Sequence, residues 1–178
     1  MNTIIINLFG GPGVGKSVVA AGVFCLLKKQ GIVTELVTEF AKDLTWEKRQ
    51  TALDNQIYIL GKQVHKIERL SGQVQVIVLD TSILMSIVYH RLNTPYEHRL
   101  KTLEPFVLEL FHNMNNVNFL LPRVFEYRQE GRYQNEEQAN STDQDIVNIL
   151  DEFDISYYDI DVDEVPETTI TNIVTGLL

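Results

Sequence analysis

The sequence predicts an α/β protein: a three-layer sandwich with a five-stranded parallel sheet between two layers of helices. Three observations carry that expectation. Short apolar, β-branched runs alternate with longer stretches of helical period, the rhythm of strand–helix–strand units that cover a parallel sheet on both faces. The first run is closed by glycines that open into a helical stretch. The third run ends in a carboxylate, Asp80.

Taken in order, TIIINLF (3–9) reads as a buried parallel strand. Residues 16–29 keep a helical period and stop at Gly31. IVTELVT (32–38) is the second strand. Residues 45–70 read as one helix, with Ile57, Leu60, Val64 and Ile67 on its inner face. VQVIVLD (74–80) is the third strand and 83–92 a short apolar helix. Pro95 starts a further helix, to about Asn113. VNFLLP (117–122) is the fourth strand, 135–153 a helix with a polar first part, ISYYDID (155–161) the fifth strand, and 165–177 the last helix. No repeat or composition break divides the chain, so one domain over 1–178 is expected. The long irregular segment after strand four stands out in so compact a chain.

Composition narrows the class. The chain is 44% apolar and 22% charged, ordinary for a soluble globular protein. Its net charge of −9 does not favour a nucleic-acid surface. No apolar run is long enough for a membrane span, and the N-terminus lacks a signal peptide's basic start. The single cysteine, Cys25, forms no internal disulfide and fits a reducing, cytoplasmic setting. Its place within VFCLL reads as a small core residue. His65, His90, His98 and His112 show no metal-ligand spacing and read as surface or structural groups.

The most specific signal is GGPGVGKS (10–17), which fits G-x-x-x-x-G-K-S between a buried strand and a helix. Phosphate oxygens are crowded and negative, so backbone N–H groups surround them only where no Cβ intrudes. The candidate phosphate-binding residues are Gly11, Pro12, Gly13, Val14, Gly15, Lys16, Ser17 and Val18. The helix N-terminus adds positive potential. Lys16 reaches the β- and γ-phosphates of ATP in such loops, and the Ser17 hydroxyl binds Mg²⁺.

Ligands of open α/β sheets lie beyond the carboxyl ends of the strands. Asp80, closing VIVL, is there a candidate Mg²⁺ ligand and substrate-side residue; a helix cap is the alternative. Glu39, after strand two, is the candidate catalytic carboxylate that positions an acceptor hydroxyl; a surface or helix-start Glu is the alternative. Phe40 and Trp46 are flat enough to stack on a planar acceptor, with Trp46 read first as packing. Gln56, Tyr58 and Gln63 either read an acceptor's polar edge or form a solvated helix face.

Charge is unevenly spread. Residues 1–101 carry 12 basic and 8 acidic residues, residues 102–178 only 3 and 16. Those three, Arg123, Arg128 and Arg132, lie within PRVFEYRQEGRYQ. Guanidinium groups suit phosphate, so they are candidate catalytic residues; ordinary salt bridges to Glu126, Glu130, Glu136 and Glu137 are the alternative.

GGPGVGKS, VTEFAKDL (37–44), QIYILGKQ (56–63), VIVLDTSILMSIVY (77–90), and YRQEGRYQNEEQA followed by TDQDI together resemble a P-loop nucleoside or nucleotide kinase. More narrowly, they resemble the small bacteriophage ATPases with an NadR-type AAA domain, related to ribosylnicotinamide kinase. Asp80-Thr81-Ser82 stands where deoxynucleoside kinases carry a Glu-Arg-Ser type motif, which favours the NadR-like side. The resemblance implies an adenylate-kinase-like core, ATP·Mg²⁺ as donor, an arginine-bearing lid over about 122–140, and the host cytoplasm as location. The expected activity is transfer of a phosphoryl group from ATP to a small nucleoside-like acceptor. A kinase acting on a modified nucleotide in DNA and a regulatory ATPase switch are the rival readings.

Overall fold

The computed structural model describes residues 2–93, 97–124 and 135–178; the side chains of 93–101 are not described. Its elements are β1 (Ile4–Phe9), α1 (Lys16–Lys29), β2 (Thr34–Val37), α2 (Phe40–Trp46), α3 (Gln50–Leu53), α4 (Gln56–Glu68), β3 (Val76–Leu79), α5 (Met85–Asn93), α6 (Glu97–His112), β4 (Asn115–Leu120), α7 (Glu136–Glu152), β5 (Tyr158–Asp159) and α8 (Pro166–Thr175). The strands form one sheet in the order β2-β3-β1-β4-β5, and every pairing is parallel. The predicted three-layer α/β sandwich is what forms.

The β1 run IIINLF is buried along its whole length, as a central strand covered on both faces must be. Its side chains alternate between two cores. Ile4, Ile6 and Leu8 meet Val19, Val23 and Leu27 of α1 and Ile170 and Val174 of α8. Ile5 and Phe9 meet Leu60 and Ile67 of α4, Val107 and Phe111 of α6, and Ile146, Ile149 and Leu150 of α7. Asn7 interrupts the second face. Its Nδ2 donates to Asn116 Oδ1 at 2.9 Å and Asn118 Oδ1 at 3.0 Å, and Asn118 Nδ2 donates onward to Ser156 O. A one-residue slip of β4 would break that ladder, so it fixes the register that carries the β4 exit to the loop after β1.

Several expectations are corrected. The single helix over 45–70 is three helices. Lys48 adopts φ +56°, which ends α2, and the Asn55 side chain accepts Tyr58 N–H to start α4. The inner face of α4 carries Gln56, Ile59, Leu60, Gln63 and Ile67, whereas Ile57 is 60% exposed. The glutamines therefore occupy the core-facing positions, and neither lies on a solvated face. Cys25 is exposed rather than a core residue: the buried stripe of α1 runs Val19, Ala20, Val23, Leu27, and a residue two past Val23 points away from it. β5 is only two residues long. Trp46 is 65% exposed. His65 and His112 are exposed and His90 is buried, while His98 lies outside the described side chains. Of the expected lid, Arg128 and Arg132 lie outside the described residues, and its last part is the start of α7. Among the described residues no helix is long and apolar enough to cross a membrane.

Phe119 of β4 is fully buried and stacks on Tyr158 with ring centroids 5.3 Å apart. Replacing it with Ala leaves a cavity on the α1/α8 side of the sheet, with an expected cost of about 3–5 kcal/mol. Denaturant unfolding of Phe119→Ala checks this; a loss under about 1 kcal/mol would contradict the packing described.

Candidate functional site

β1 ends inside the sheet, and the chain must then turn sharply into α1. Gly15 makes the last step of that turn at φ +100°, a left-handed conformation open to glycine. It leaves the first amides of α1 at the mouth of the loop, where Val18 and Val19 N–H return to Gly15 O. Val14 is buried in the core below. Lys16 folds back over the loop, and its Nζ donates to Gly10 O at 2.6 Å and Gly11 O at 3.1 Å.

Strands β2 and β3 bring the acidic groups to the same edge. Val37 pairs with Leu79, and Asp80 N–H continues the ladder to Val37 O. This sets Thr38 and Glu39 beside Asp80 and Thr81. Asp80 is 4% exposed. One of its oxygens, Oδ2, accepts the Ser17 hydroxyl at 2.8 Å. The other, Oδ1, is buried with no hydrogen-bond partner among the described residues. Lys42 of α2 approaches Ser17 Oγ at 3.5 Å.

The electrostatics follow from this crowding. Burial lowers the pKa of Lys16, while Glu39, Asp80 and Asp143 favour its charged form and Arg123 opposes it. Burial raises the pKa of Glu39, opposed by Lys16 and reinforced by Asp80. The Thr81 hydroxyl is near enough to favour the ionised Glu39, without a formed hydrogen bond between them. Tyr89 of α5 belongs to the same floor: burial, then Glu39 and Asp143, raise its phenol, which keeps it a neutral donor.

Other predicted residues lie further out. Phe40 opens α2 with its ring edge-on to Tyr58 at 5.5 Å and Lys66 Nζ 5.6 Å from its centroid. Gln56 lines a cavity of about 960 Å³ with Leu60, Val64, His90, Leu103 and Phe106; Glu39 and Phe40 are not in its wall. Neither amide atom of buried Gln63 has a partner among the described residues. Val18, 63% exposed, borders an apolar pocket of about 250 Å³ shared with Val14, Leu121, Pro122, Val162 and Val165.

Arg123 reaches the loop. Its Nη1 donates to Pro12 O at 3.0 Å and its Nε to Asp143 Oδ2 at 2.7 Å. The sequence by itself assigns no role to Asp143, Thr81 and Tyr89. Asp143 had a usable signal: it follows Ala139 by four, so a carboxylate shares the inner side of a helix whose other inner residues are Thr142 and Ile146.

Mg²⁺ takes oxygen ligands, commonly one or two carboxylates completed by substrate phosphates. A hydroxyl bonded to a carboxylate that has an unpartnered second oxygen fits that demand. Among the described residues no cluster of three or more His, Cys, Asp or Glu could hold a metal, and Ser17 with Asp80 is the pair that would contribute.

A family model described as an AAA domain (AAA_28) matches residues 5–167. Among solved structures, the NadR protein in complex with NR is similar with a TM-score of 0.75 at 18% identity, over 98% of this chain and 51% of that one. NadR in complex with NAD and AMP-PNP gives 0.71 at 16% identity, over 98% and 49%. This chain therefore spans about half the length of NadR. Deoxyadenosine kinase from M. mycoides with bound dATP gives 0.65 at 18% identity, over 97% and 98%. The shared feature at these identities is the fold, that of the P-loop nucleoside kinases. No curated protein matches the chain by sequence. The match from β1 into α8 settles the family: the chain belongs to the AAA domain family.

Proposed function

We propose that the protein is an ATP-dependent phosphotransferase acting on a hydroxyl or phosphate of a small nucleoside-like acceptor. The observation that carries this is the placing of a half-buried carboxylate, Glu39, beside the loop lysine and the Ser17–Asp80 pair. Phosphoryl transfer needs little covalent chemistry from a protein. It needs the donor held, the charge neutralised and the acceptor hydroxyl aligned. The nucleoside-kinase fold supports the reading, as do neighbours whose structures hold dATP, NR or AMP-PNP.

In this reading the loop from Gly11 to Val18 wraps the polyphosphate, which takes the backbone N–H groups of Gly13, Gly15, Lys16 and Ser17. Lys16 leaves the loop carbonyls for phosphate oxygens. The apolar pocket beside Val18 takes the donor's base. Ser17 and Asp80 would hold Mg²⁺, whose charge would neutralise the phosphates when bound. Glu39 orients the acceptor hydroxyl and accepts its proton. Phe40 bounds the acceptor side, and Tyr89 keeps a neutral donor next to Glu39. Arg128 and Arg132 answer the remaining phosphate charge, while Arg123 serves the loop itself through Pro12 O and Asp143.

Lys16→Ala is expected to reduce nucleotide turnover to background, measured as release or transfer of label from γ-labelled ATP. Full turnover in that variant would remove the loop from the reaction. Labelled ATP offered with a panel of nucleosides, monophosphates and nicotinamide riboside tests the class. A labelled acceptor supports a kinase, whereas hydrolysis indifferent to every acceptor supports a switch.

Glu39 also makes a pH prediction. A base acts when deprotonated, and burial raises this carboxyl above the ordinary glutamate value. Transfer should therefore rise with pH through an acid limb lying above the usual carboxylate range. Glu39→Gln should lower transfer by about 10²–10⁴, keep ATP affinity nearly intact and abolish that limb. An unchanged pH–rate profile in the variant would take Glu39 out of the role.

A further inference from the structure

Asp143 has no part in the chemistry above, yet both of its oxygens are committed at the phosphate-binding loop. Oδ1 accepts Gly11 N–H at 2.6 Å, and Oδ2 accepts Arg123 Nε at 2.7 Å. Arg123 returns to the loop through Nη1 and Pro12 O at 3.0 Å, and to α7 through Nη2 and Ala139 O at 3.3 Å. The contacts close a ring through the loop, α7 and the β4 exit. Gly11 fits that ring so closely that a Cβ there would lie 2.5 Å from Asp143 Oδ1 and 2.7 Å from Ala139 O. The ion pair is sheltered, with its side chains only 21% and 33% exposed.

A glycine-rich loop has much backbone freedom to lose when it closes on a ligand. Tethering its first peptide units in advance removes part of that cost from binding. Charge-assisted bonds to a backbone N–H and to a planar guanidinium fix direction as well as distance.

We propose that Asp143, acting through Arg123 and Gly11, is a positioning residue that holds the phosphate-binding loop ready for nucleotide. This rests on the reading of the loop as the ATP site. Arg123 is the intermediate of the device: Nε, Nη1 and Nη2 all donate within the ring, so its work in this arrangement is on the loop backbone.

The test titrates the full chain with a non-hydrolysable ATP analogue and Mg²⁺, comparing wild type, Asp143→Asn, Arg123→Gln, their double variant and Gly11→Ala. Asp143→Asn keeps an acceptor for Gly11 N–H and loses the ion pair. Its Kd is expected to rise about ten- to hundredfold, the scale of a charged hydrogen bond. Turnover at saturating ATP should persist, so the loss appears in KM rather than kcat. The double variant should lose little more than the worse single variant, since the two residues form one unit. Gly11→Ala should show the same weakening by pushing Asp143 away. A wild-type Kd in Asp143→Asn overturns the proposal, as does full additivity, or a lowered melting temperature with unchanged affinity. If Asp143→Asn does not fold, Arg123→Lys carries the same comparison, with its charge kept and its fork lost. A wild-type chain that binds no nucleotide overturns the ATP-site reading itself, a result distinct from tight binding that ignores Asp143.

Discussion

A half-buried ammonium is the constraint on which the site is built. Withdrawal from water works against the charge of Lys16, and three carboxylates restore it: Glu39, Asp80 and Asp143. They come from the end of β2, the end of β3 and the inner side of α7. No short segment of chain could supply all three. The sheet order β2-β3-β1-β4-β5 puts the lysine loop next to β3 on one side and next to β4 on the other. Parallel pairing brings the carboxyl ends of those strands to one edge. The apolar packing of β1 on both faces therefore has an electrostatic consequence: it fixes where each charge stands relative to one lysine.

The same cluster sets terms for a ligand. Among the described side chains of the immediate setting, three cations, Lys16, Lys42 and Arg123, stand against three carboxylates, Glu39, Asp80 and Asp143. A polyphosphate entering it meets backbone N–H groups and a helix N-terminus, which favour an anion, and side-chain charge that on balance is neutral. A divalent cation would supply the positive charge that the side chains do not. The Ser17 hydroxyl and the unpartnered Asp80 oxygen are oxygen donors at the place where one would be held. Glu39 gains from the burial that makes it costly. A carboxylate whose proton affinity is raised by burial is a stronger proton acceptor than one fully solvated.

The parts of this arrangement that repeat along the chain were legible in the sequence. Strand alternation and the G-x-x-x-x-G-K-S spacing are local patterns, and they led to the sheet, the loop and both strand-end carboxylates. What stayed hidden depends on contacts distant in sequence. Asp143 meets Gly11 across 132 positions and Arg123 meets Pro12 across 111, and no local pattern marks such pairs. α4 misled for a different reason. Its apolar residues permit two helical faces, and hydropathy chose the one containing Ile57. The fold turns Gln56 and Gln63 inward, Gln56 into the wall of the cavity it shares with His90 and Phe106. Cys25 failed in the same way: a flanking apolar run said core, while the 3.6-residue period said surface.

The uneven charge of the chain acquires a physical meaning at Arg123. After residue 101 the sequence turns strongly acidic, and a guanidinium there has many carboxylates within reach in principle. Sheet adjacency decides which one it meets. β4 pairs with β1, and Leu121 N–H extends that ladder to Phe9 O, so the residue two positions on emerges directly beside the turn that β1 makes into the loop. α7 passes over the same point with Asp143 facing inward. A lysine at 123 would supply the charge but not the fork: its single ammonium cannot present three nitrogens at fixed angles to Asp143, Pro12 and Ala139 together. The arginine is thus selected by geometry as much as by charge, and the geometry is that of the neighbouring strand.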